Sequence, residues 1–181
     1  MARTEIHPIS STLNIAIDYI IDPEKTDGQK LCSTYECTLQ CAAMDFEDVH
    51  MQGTGRTTVL AQHMIQSFKP GEVTPEEAHQ VGCEFIERCF AEDFEVVIGT
   101  HTDHAHIHNH IILNSVSFVD GHKFQSTPAS FYKLREISDE ICRAHHLSVI
   151  DDPKTRKAKH YAEWKAEQEY RPTIRNEIRR D

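Results

Sequence analysis

The sequence lacks most of the features that would assign a function at once. No apolar run is long enough to span a bilayer, and the N-terminus has no charged-then-apolar segment of secretory type. The six cysteines include no CxxC pair, so we expect reduced thiols that pack inside a cytoplasmic protein. Neither GxxxxGKS/T nor HExxH is present, which argues against a nucleotide-binding P-loop and a helix-borne zinc peptidase site.

Excess basic charge is also missing. The formal net charge of the 181 residues is −10, with 39% hydrophobic and 27% charged residues, as in an ordinary soluble protein. Residues 1–150 carry −12 and residues 151–181 carry +2. This balance argues against a passive nucleic-acid binder, which usually displays a basic face. Any contact between the main body and nucleic acid must therefore come from a local basic patch or from a metal.

Hydrophobic periodicity and turn signals divide the chain into alternating strands and helices. Residues 1–150 form the predicted domain, and residues 151–181 form a charged helical extension that we expect to continue into a further C-terminal region. The pattern predicts strands at 2–9, 29–36, 57–68 and 94–100, and helices at 13–20, 38–51, 74–91 and 128–146. Ser10 and Ser11 are predicted caps of the first helix, and Thr74 with Glu77 predicts a capping box.

The most informative stretch is His101 to Asn114, which holds five of the 13 histidines. Asp103 to Ala105 can turn the preceding strand back into a second one, which forms a histidine hairpin. Alternate residues of a strand point to the same face, so His106, His108 and His110 project together. The hairpin brings His101 beside them. Neutral imidazole is the commonest protein ligand of divalent transition metals, so we predict a metal site here rather than a run of surface histidines.

A metal with open coordination positions can polarise a phosphoryl oxygen or activate water. A reactive hydroxyl beside such a metal favours phosphoester transfer. Tyr19, in the last turn of the first predicted helix, can serve as a nucleophile if a nearby base or cation helps it lose its proton. Asp103 and the spare histidines can fill that role. Taken alone, Tyr19 is more simply an aromatic residue at the edge of the core.

Three segments together resemble a known family. They are Ala16-Ile17-Asp18-Tyr19-Ile20 with Lys25-Thr26, then His63-Met64-Ile65-Gln66-Ser67-Phe68, and finally the pattern HxDxxHxHxHxxxN from His101 to Asn114. In this order and spacing they resemble the N-terminal relaxase domain of conjugative plasmids and transposons, within the HUH (His-hydrophobe-His) endonucleases. The resemblance is closest to the single-tyrosine branch related to the agrobacterial T-DNA border nuclease, and it covers residues 5 to about 150.

The resemblance implies a fold and an activity. The expected fold is α+β: a mainly antiparallel sheet of about five strands, with helices on one face and the histidine hairpin at the centre. The expected enzyme is a DNA relaxase that nicks and rejoins one strand at an origin of transfer. Its tyrosine forms a 5′-phosphotyrosyl link and leaves a free 3′ hydroxyl. The expected cofactor is a divalent metal ion, Mn²⁺ or Mg²⁺ in preference to Zn²⁺.

The resemblance also implies the site residues. Tyr19 is the expected nucleophile, and Asp103 assists proton removal or orients a histidine. The expected metal ligands are His101, His108 and His110, with His106 in reserve. The reserve is kept because His106-Ile107-His108 fits the His-hydrophobe-His motif, whereas His108-Asn109-His110 does not. The residues expected at the DNA are Lys25, Thr26, His63, Ser67 and Asn114, of which Asn114 also supports its strand.

The resemblance also implies partners for the protein, while other functions of the same residues stay open. We expect origin-of-transfer DNA, an accessory DNA-binding protein and the coupling or secretion machinery as partners, in the bacterial cytoplasm and without membrane insertion.

A metal phosphoesterase of small molecules would need the histidines but no tyrosine. A non-catalytic metal-dependent DNA-binding module would lose binding, not turnover, without Tyr19. A replication initiator of the same superfamily would share the chemistry and differ in biology.

Overall fold

The computed structural model describes residues 3–53 and 58–150, and the predicted extension over 151–181 lies outside them. Within these ranges the chain forms nine regular elements, five strands and four helices. The strands are β1 (Arg3–Ile9), β2 (Cys32–Tyr35), β3 (Ala61–Ser67), β4 (Val96–His101) and β5 (His108–Asn114). The helices are α1 (Leu13–Ile20), α2 (Ala42–Gln52), α3 (Pro75–Cys89) and α4 (Pro128–Ala144).

The five strands form one sheet in the order β1-β3-β5-β4-β2, and every neighbouring pair is antiparallel. The central strand is β5, whose seven residues are all buried. It pairs with β4, so the histidine hairpin occupies the middle of the sheet. The predicted α+β class, the five-stranded antiparallel sheet and the central hairpin are thereby confirmed.

One face of the sheet is covered by α3 and α4. Ile98 of β4 and Ile111 and Leu113 of β5 point to this side and belong to the main hydrophobic core. The buried residues of α3 and α4, among them Phe85 and Ile141, complete that core. We refer to this side as the reverse face.

The opposite side, the histidine face, carries His101, His108 and His110 and is also partly covered. Here α1 and α2 pack over Val97 and Ile112 in a second core cluster. The expectation of helices on one face is therefore incomplete. The two-residue period of a strand puts these apolar residues on the same side as the histidines, and helices must cover them to bury them. The histidines lie on this face beyond the apolar cluster.

Helix ends follow local capping chemistry in α3 but not in α1. Thr74 Oγ1 accepts from the Glu77 backbone N–H at 3.2 Å while the Glu77 carboxylate accepts from the Thr74 backbone N–H at 2.9 Å, which confirms the predicted capping box. Ser10 and Ser11 do not cap α1. The cap residue is Thr12, whose left-handed backbone (φ 56°) turns the chain from β1 into the helix without a side-chain cap bond.

The connection after α1 is a run of turns, and for this reason β2 is shorter than the strand predicted at 29–36. The connection is fastened to β4 at two points. The backbone N–H of Thr100 donates to the Leu31 carbonyl at 2.9 Å, and that of Thr102 donates to the Lys25 carbonyl at 3.0 Å. These bonds hold Lys25 beside the end of β4, next to the histidines.

The six cysteines are all free thiols, and Cys142 is buried in the main core. Among the residues described, none of the helices combines the length and apolarity that a membrane crossing requires.

Candidate metal centre and nucleophile

Three histidines converge where β4 ends and β5 begins. His101 is paired directly with His108 across the two strands, and His110 lies two residues further along β5, opposite Gly99. All three side chains are buried. One ring nitrogen from each lies within 4.8 Å of the other two, a spacing that suits a single metal ion. His101, His108 and His110 are the set that the sequence favoured.

The hydrogen bonds of the three rings leave one nitrogen of each free to face the others. His101 Nε2 lies 3.1 Å from the Ile20 carbonyl, to which it donates, and His108 Nδ1 donates to the His106 carbonyl at 3.3 Å. His110 Nδ1 is 2.9 Å from His63 Nε2. An outer partner of this kind fixes the tautomer and orientation of a metal-binding imidazole. The nitrogens available to a metal are therefore His101 Nδ1, His108 Nε2 and His110 Nε2.

The donor set fits a divalent metal. His101 Nδ1 and His110 Nε2 are buried and have no hydrogen-bond partner among the residues described, an unfavourable state for a polar atom that a metal would relieve. Burial lowers the pKa of His108 to about 4 and that of His110 well below its ordinary value, with the neighbouring histidines contributing. The rings are thus neutral at physiological pH, the form in which imidazole binds metals.

Tyr19 lies at the edge of this cluster. Its ring centroid is 5.3 Å from that of His101 and 5.6 Å from that of His110, and the side chain is 45% exposed. The position depends on Gly99, where a Cβ atom would come within 1.9 Å of the Ile20 carbonyl. Because residue 99 is glycine, the end of α1 rests directly on β4, and the hydroxyl-bearing ring stands between the histidines and solvent.

Lys25 joins the group from the turns after α1. Its ammonium nitrogen lies 3.7 Å from the centroid of the Tyr19 ring, a cation–π contact, and 4.0 Å from an Asp22 carboxylate oxygen. The sequence predicted Lys25 as a DNA contact. The structure adds that its positive charge lies next to the predicted nucleophile and the predicted metal ligands.

The predicted role of Asp103 as an orienting residue is not supported. Its carboxylate contacts His104 at 3.6 Å, whereas the rings of the three clustered histidines are oriented by Ile20, His106 and His63. Its part in proton removal stays a prediction. His106, the reserve ligand, precedes β5, and its ring centroid lies 5.2 Å from that of His108 and 6.2 Å from that of His104. Its backbone carbonyl accepts from His108 Nδ1, and its ring nitrogens are outside the converging group.

The other predicted DNA contacts divide into two groups. Ser67 ends β3 opposite His108 on the histidine face, a position consistent with its predicted role. The side chains of Thr26 and Asn114 are wholly buried, so neither is presented at the surface where the predicted DNA contact would be made. The Thr26 hydroxyl donates to the Asp22 carbonyl at 2.8 Å. The Asn114 amide donates to Glu95 at 2.7 Å at the far end of β5, which agrees with support of the strand.

His63 has a different place from the one expected. It is largely buried, and its contact with His110 puts it behind one of the three converging histidines rather than at the protein surface. Burial lowers its pKa to about 4, so the ring is neutral. If His110 turns a bare Nε2 toward the other two histidines, its proton lies on Nδ1 and His63 Nε2 accepts it. The alternation of residues along β3 indicated which side of the strand His63 faces. Its hydrogen-bond partner, His110, could not be predicted, because it depends on the register between β3 and β5.

The fold and the site define a class of protein: an antiparallel sheet that carries a cluster of three histidines able to hold a metal ion, with a tyrosine beside it. Residues 19–147 match the family described as "Relaxase: MobA/VirD2-like, nuclease domain". The chain belongs to this family, and the match includes Tyr19, the histidine cluster and Lys25. The recognition made from the three motifs is confirmed.

Curated relatives agree with the family assignment. The chain is 37% identical over 153 residues to a "Protein rlx" of Staphylococcus aureus, covering 84% of this chain and 44% of that protein. A second "Protein rlx" of the same species is 38% identical over 151 residues, with 83% and 46% covered. "Group II intron-interrupted relaxase LtrB" of Lactococcus lactis subsp. cremoris is 29% identical over 134 residues, with 66% and 24% covered. The chain thus spans less than half the length of these relatives.

A solved structure shares the fold. It is the Mn-bound crystal structure described as "MobM Relaxase Domain (MOBV; Mob_Pre) bound to plasmid pMV158 oriT DNA (22nt)". The TM-score is 0.64 at 11% sequence identity, with 91% of this chain and 98% of that chain covered. At this identity the likeness establishes the fold, and the chemistry has to be argued from the residues of this chain.

Proposed function

We propose that the protein nicks and rejoins one strand of DNA at the origin of transfer of a mobile element, with Tyr19 as nucleophile. The observation that carries the proposal is the position of the Tyr19 ring, 5.3 Å and 5.6 Å from two of the three converging histidines. A phosphate bound to a metal ion at the free ring nitrogens would lie beside the Tyr19 ring. Such positioning turns a bimolecular attack into a local one.

The reaction exchanges one phosphodiester for another. The Tyr19 hydroxyl loses its proton and its oxygen bonds to the scissile phosphorus, while the bond from phosphorus to the 3′ oxygen breaks and that oxygen takes up a proton. The products are a 5′-phosphotyrosyl link and a free 3′ hydroxyl. Because one ester replaces another, attack by the 3′ hydroxyl reverses the step and reseals the strand.

Residues of this chain have distinct parts in that step. Lys25, with its ammonium nitrogen 3.7 Å from the Tyr19 ring centroid, would stabilise negative charge on the phenolate and the phosphate. Asp103, in the loop between β4 and β5, is the base that we propose for the tyrosine proton. Its charge acts on the cluster, because it opposes the burial that lowers the pKa of His101. Ser67, on the same face as His108, would contact the DNA backbone.

We infer that His101, His108 and His110 hold a divalent metal through one nitrogen each. When bound, the metal would orient the scissile phosphate and offset the charge that develops on it. Mn²⁺ or Mg²⁺ is our first choice, with Zn²⁺ also compatible with three imidazoles. The Mn²⁺ in the MobM relaxase-domain structure supports this order.

The proposed partner is origin-of-transfer DNA, single-stranded at the nick and duplex beside it. The MobM relaxase domain, bound to pMV158 oriT DNA, supports this partner. The net charge of −10 makes general attraction of DNA weak, so we propose that an accessory DNA-binding protein helps to load the origin. Coupling and secretion proteins would act with the protein in the bacterial cytoplasm and carry it across with the DNA.

The test is formation of a covalent adduct. The protein is incubated with Mn²⁺ and single-stranded oligonucleotides that tile the intergenic DNA of its host element, and the products are run on a denaturing gel. Tyr19→Phe and His108→Ala are the test variants. Tyr132→Phe is the matched control, since Tyr132 is 62% exposed on α4 and absent from the site.

We expect a shifted band for the wild type and Tyr132→Phe, and none for Tyr19→Phe, for His108→Ala or without metal. Cleavage that survives Tyr19→Phe would overturn the proposed nucleophile. Metal binding without adduct or cleavage on any strand would favour a phosphoesterase of small molecules. An adduct only on the host element's replication origin would favour a replication initiator.

A further inference from the structure

Asn109 lies between two of the metal-binding histidines, at the position where the His-hydrophobe-His motif would have an apolar residue. It points to the reverse face and is fully buried. Its amide nitrogen donates to Gln66 Oε1 at 2.9 Å and to the Ala78 carbonyl at 2.7 Å, while its oxygen accepts from Thr100 Oγ1 at 2.7 Å. The side chain is bonded on both ends, to two neighbouring strands and to α3.

These bonds belong to one row of polar residues that crosses four strands. In register, Thr4 of β1 pairs with Gln66 of β3, Gln66 with Asn109 of β5, and Asn109 with Thr100 of β4. Ser138 of α4 completes the row, because it accepts from Gln66 at 2.8 Å and from Thr4 at 3.1 Å. We call these five residues the polar row.

The polar row lies between the two rows that carry the histidines. On one side His108 pairs with His101, and on the other His110 pairs with Gly99. A slip of one residue between β4 and β5 would send His101 or the β5 histidines to the reverse face, because neighbouring residues of a strand point to opposite sides. Apolar contacts are non-directional, whereas hydrogen bonds require defined distances and angles, so the polar row discriminates between registers.

Close packing of α3 supports the same arrangement. A Cβ atom on Gly82 would lie 2.5 Å from Asn109 Nδ2, so the absence of a side chain at this position lets the helix approach the strand. That approach brings the Ala78 carbonyl within hydrogen-bond distance of the amide. A leucine or isoleucine at 109 would leave the Ala78 carbonyl, Gln66 and Thr100 without this hydrogen-bond partner. Loss of a hydrogen bond by a buried polar group lowers the free energy of unfolding.

We propose that Asn109 is a positioning residue for the metal centre. Its buried bonds to Thr100, Gln66 and Ala78 fix β4 and β5 in the register and spacing that let the three histidines hold one metal ion. The inference rests on the metal-binding role proposed above for those histidines. It extends that role to a residue that touches neither metal nor DNA.

The test compares Mn²⁺ affinity with stability in the full 181-residue chain. Asn109→Leu keeps the approximate volume and removes every side-chain bond of Asn109. Thr100→Val removes the bond from Thr100 to Asn109, together with the 2.8 Å bond between Thr100 Oγ1 and His79 Nδ1. Leu113→Ala is the matched control, because Leu113 is equally buried on the reverse face of β5 but outside the polar row. Titration calorimetry gives the Mn²⁺ dissociation constant, and urea unfolding of the metal-free protein gives stability. Affinity is measured where circular dichroism shows each variant to be folded.

We expect Asn109→Leu to raise the Mn²⁺ dissociation constant by about tenfold or more, as loss of outer support does at metal sites, and Thr100→Val to raise it less. Leu113→Ala should lower stability and leave the dissociation constant near that of the wild type. Wild-type affinity in both test variants, or an equal loss in Leu113→Ala, would overturn the proposal. His108→Ala separates the two assignments: if it binds Mn²⁺ as the wild type does, the metal site itself is wrong.

Discussion

Replacing His63 with alanine distinguishes a role of this residue in metal binding from a role in DNA binding. The sequence suggested a DNA contact, whereas the structure shows His63 Nε2 at 2.9 Å from His110 Nδ1. Without His63, the buried N–H of His110 loses its acceptor, and the ring is no longer held with Nε2 toward the other two histidines. Loss of such an outer partner typically lowers metal affinity by about 10–100-fold, or about 1.4–2.8 kcal/mol.

The assay is Mn²⁺ titration of the wild type and His63→Ala, followed by binding of labelled single-stranded DNA in the absence of metal. His7→Ala is the matched control, because His7 pairs with His63 in register on the same face but is exposed. We expect a weaker Mn²⁺ affinity in His63→Ala alone and similar metal-free DNA binding in all three proteins. If His63→Ala bound Mn²⁺ normally and lost DNA affinity, the reasoning from the His63–His110 contact would be refuted.

Three further predictions concern other parts of the fold. Burial raises the pKa of Glu95 to about 7, and Asp45 adds repulsion, so the folded state holds this proton more tightly than the unfolded state. The free energy of unfolding should therefore fall as the pH rises from about 4.5 to about 7, by up to about 3 kcal/mol. Glu95→Gln should be the more stable protein in urea at pH 8 and should lose this part of the pH dependence; an unchanged profile would contradict the cause. Gly99→Ala puts a Cβ atom 1.9 Å from the Ile20 carbonyl, which must push α1 away from β4. Because Tyr19 then moves away from the histidines, the yield of the DNA adduct should fall by about tenfold or more. An adduct yield equal to that of the wild type would disprove the close approach of α1 to β4. Thr74→Ala removes the capping box of α3, so the free energy of unfolding in urea should fall by about 1 kcal/mol while the Mn²⁺ affinity stays unchanged. A lower Mn²⁺ affinity would show that the cap of α3 acts on the metal site.

Local patterns were sufficient to predict the centre of the molecule. The alternation of His108 and His110 with apolar neighbours determined which side of β5 they face, and the turn at 103–105 determined that His101 comes back against them. The capping box at Thr74 was predictable for the same reason, since all of its atoms lie within four residues. Recognition of the family required three such segments together, because the Tyr19 motif alone resembles any amphipathic helix.

Contacts between distant segments could not be predicted from these patterns. The burial of Asn114 depends on Glu95 and Phe46, and the bond from His63 to His110 depends on the pairing of β3 with β5. Thr26 was expected at the surface because of its motif, but its side chain turns inward against the backbone of its own loop. The burial of polar residues is the hardest property to predict from sequence, because a buried, hydrogen-bonded polar side chain and an exposed one produce the same sequence pattern.

The most direct test of the central claim is to map the adduct. Protein linked to its nicked strand is digested with protease and nuclease, and the peptides are sequenced by mass spectrometry. We predict a nucleotide phosphate on the hydroxyl of Tyr19, with none on Tyr35 or Tyr132. A phosphate on a histidine or on another tyrosine, or cleaved DNA with no linked peptide, would contradict it.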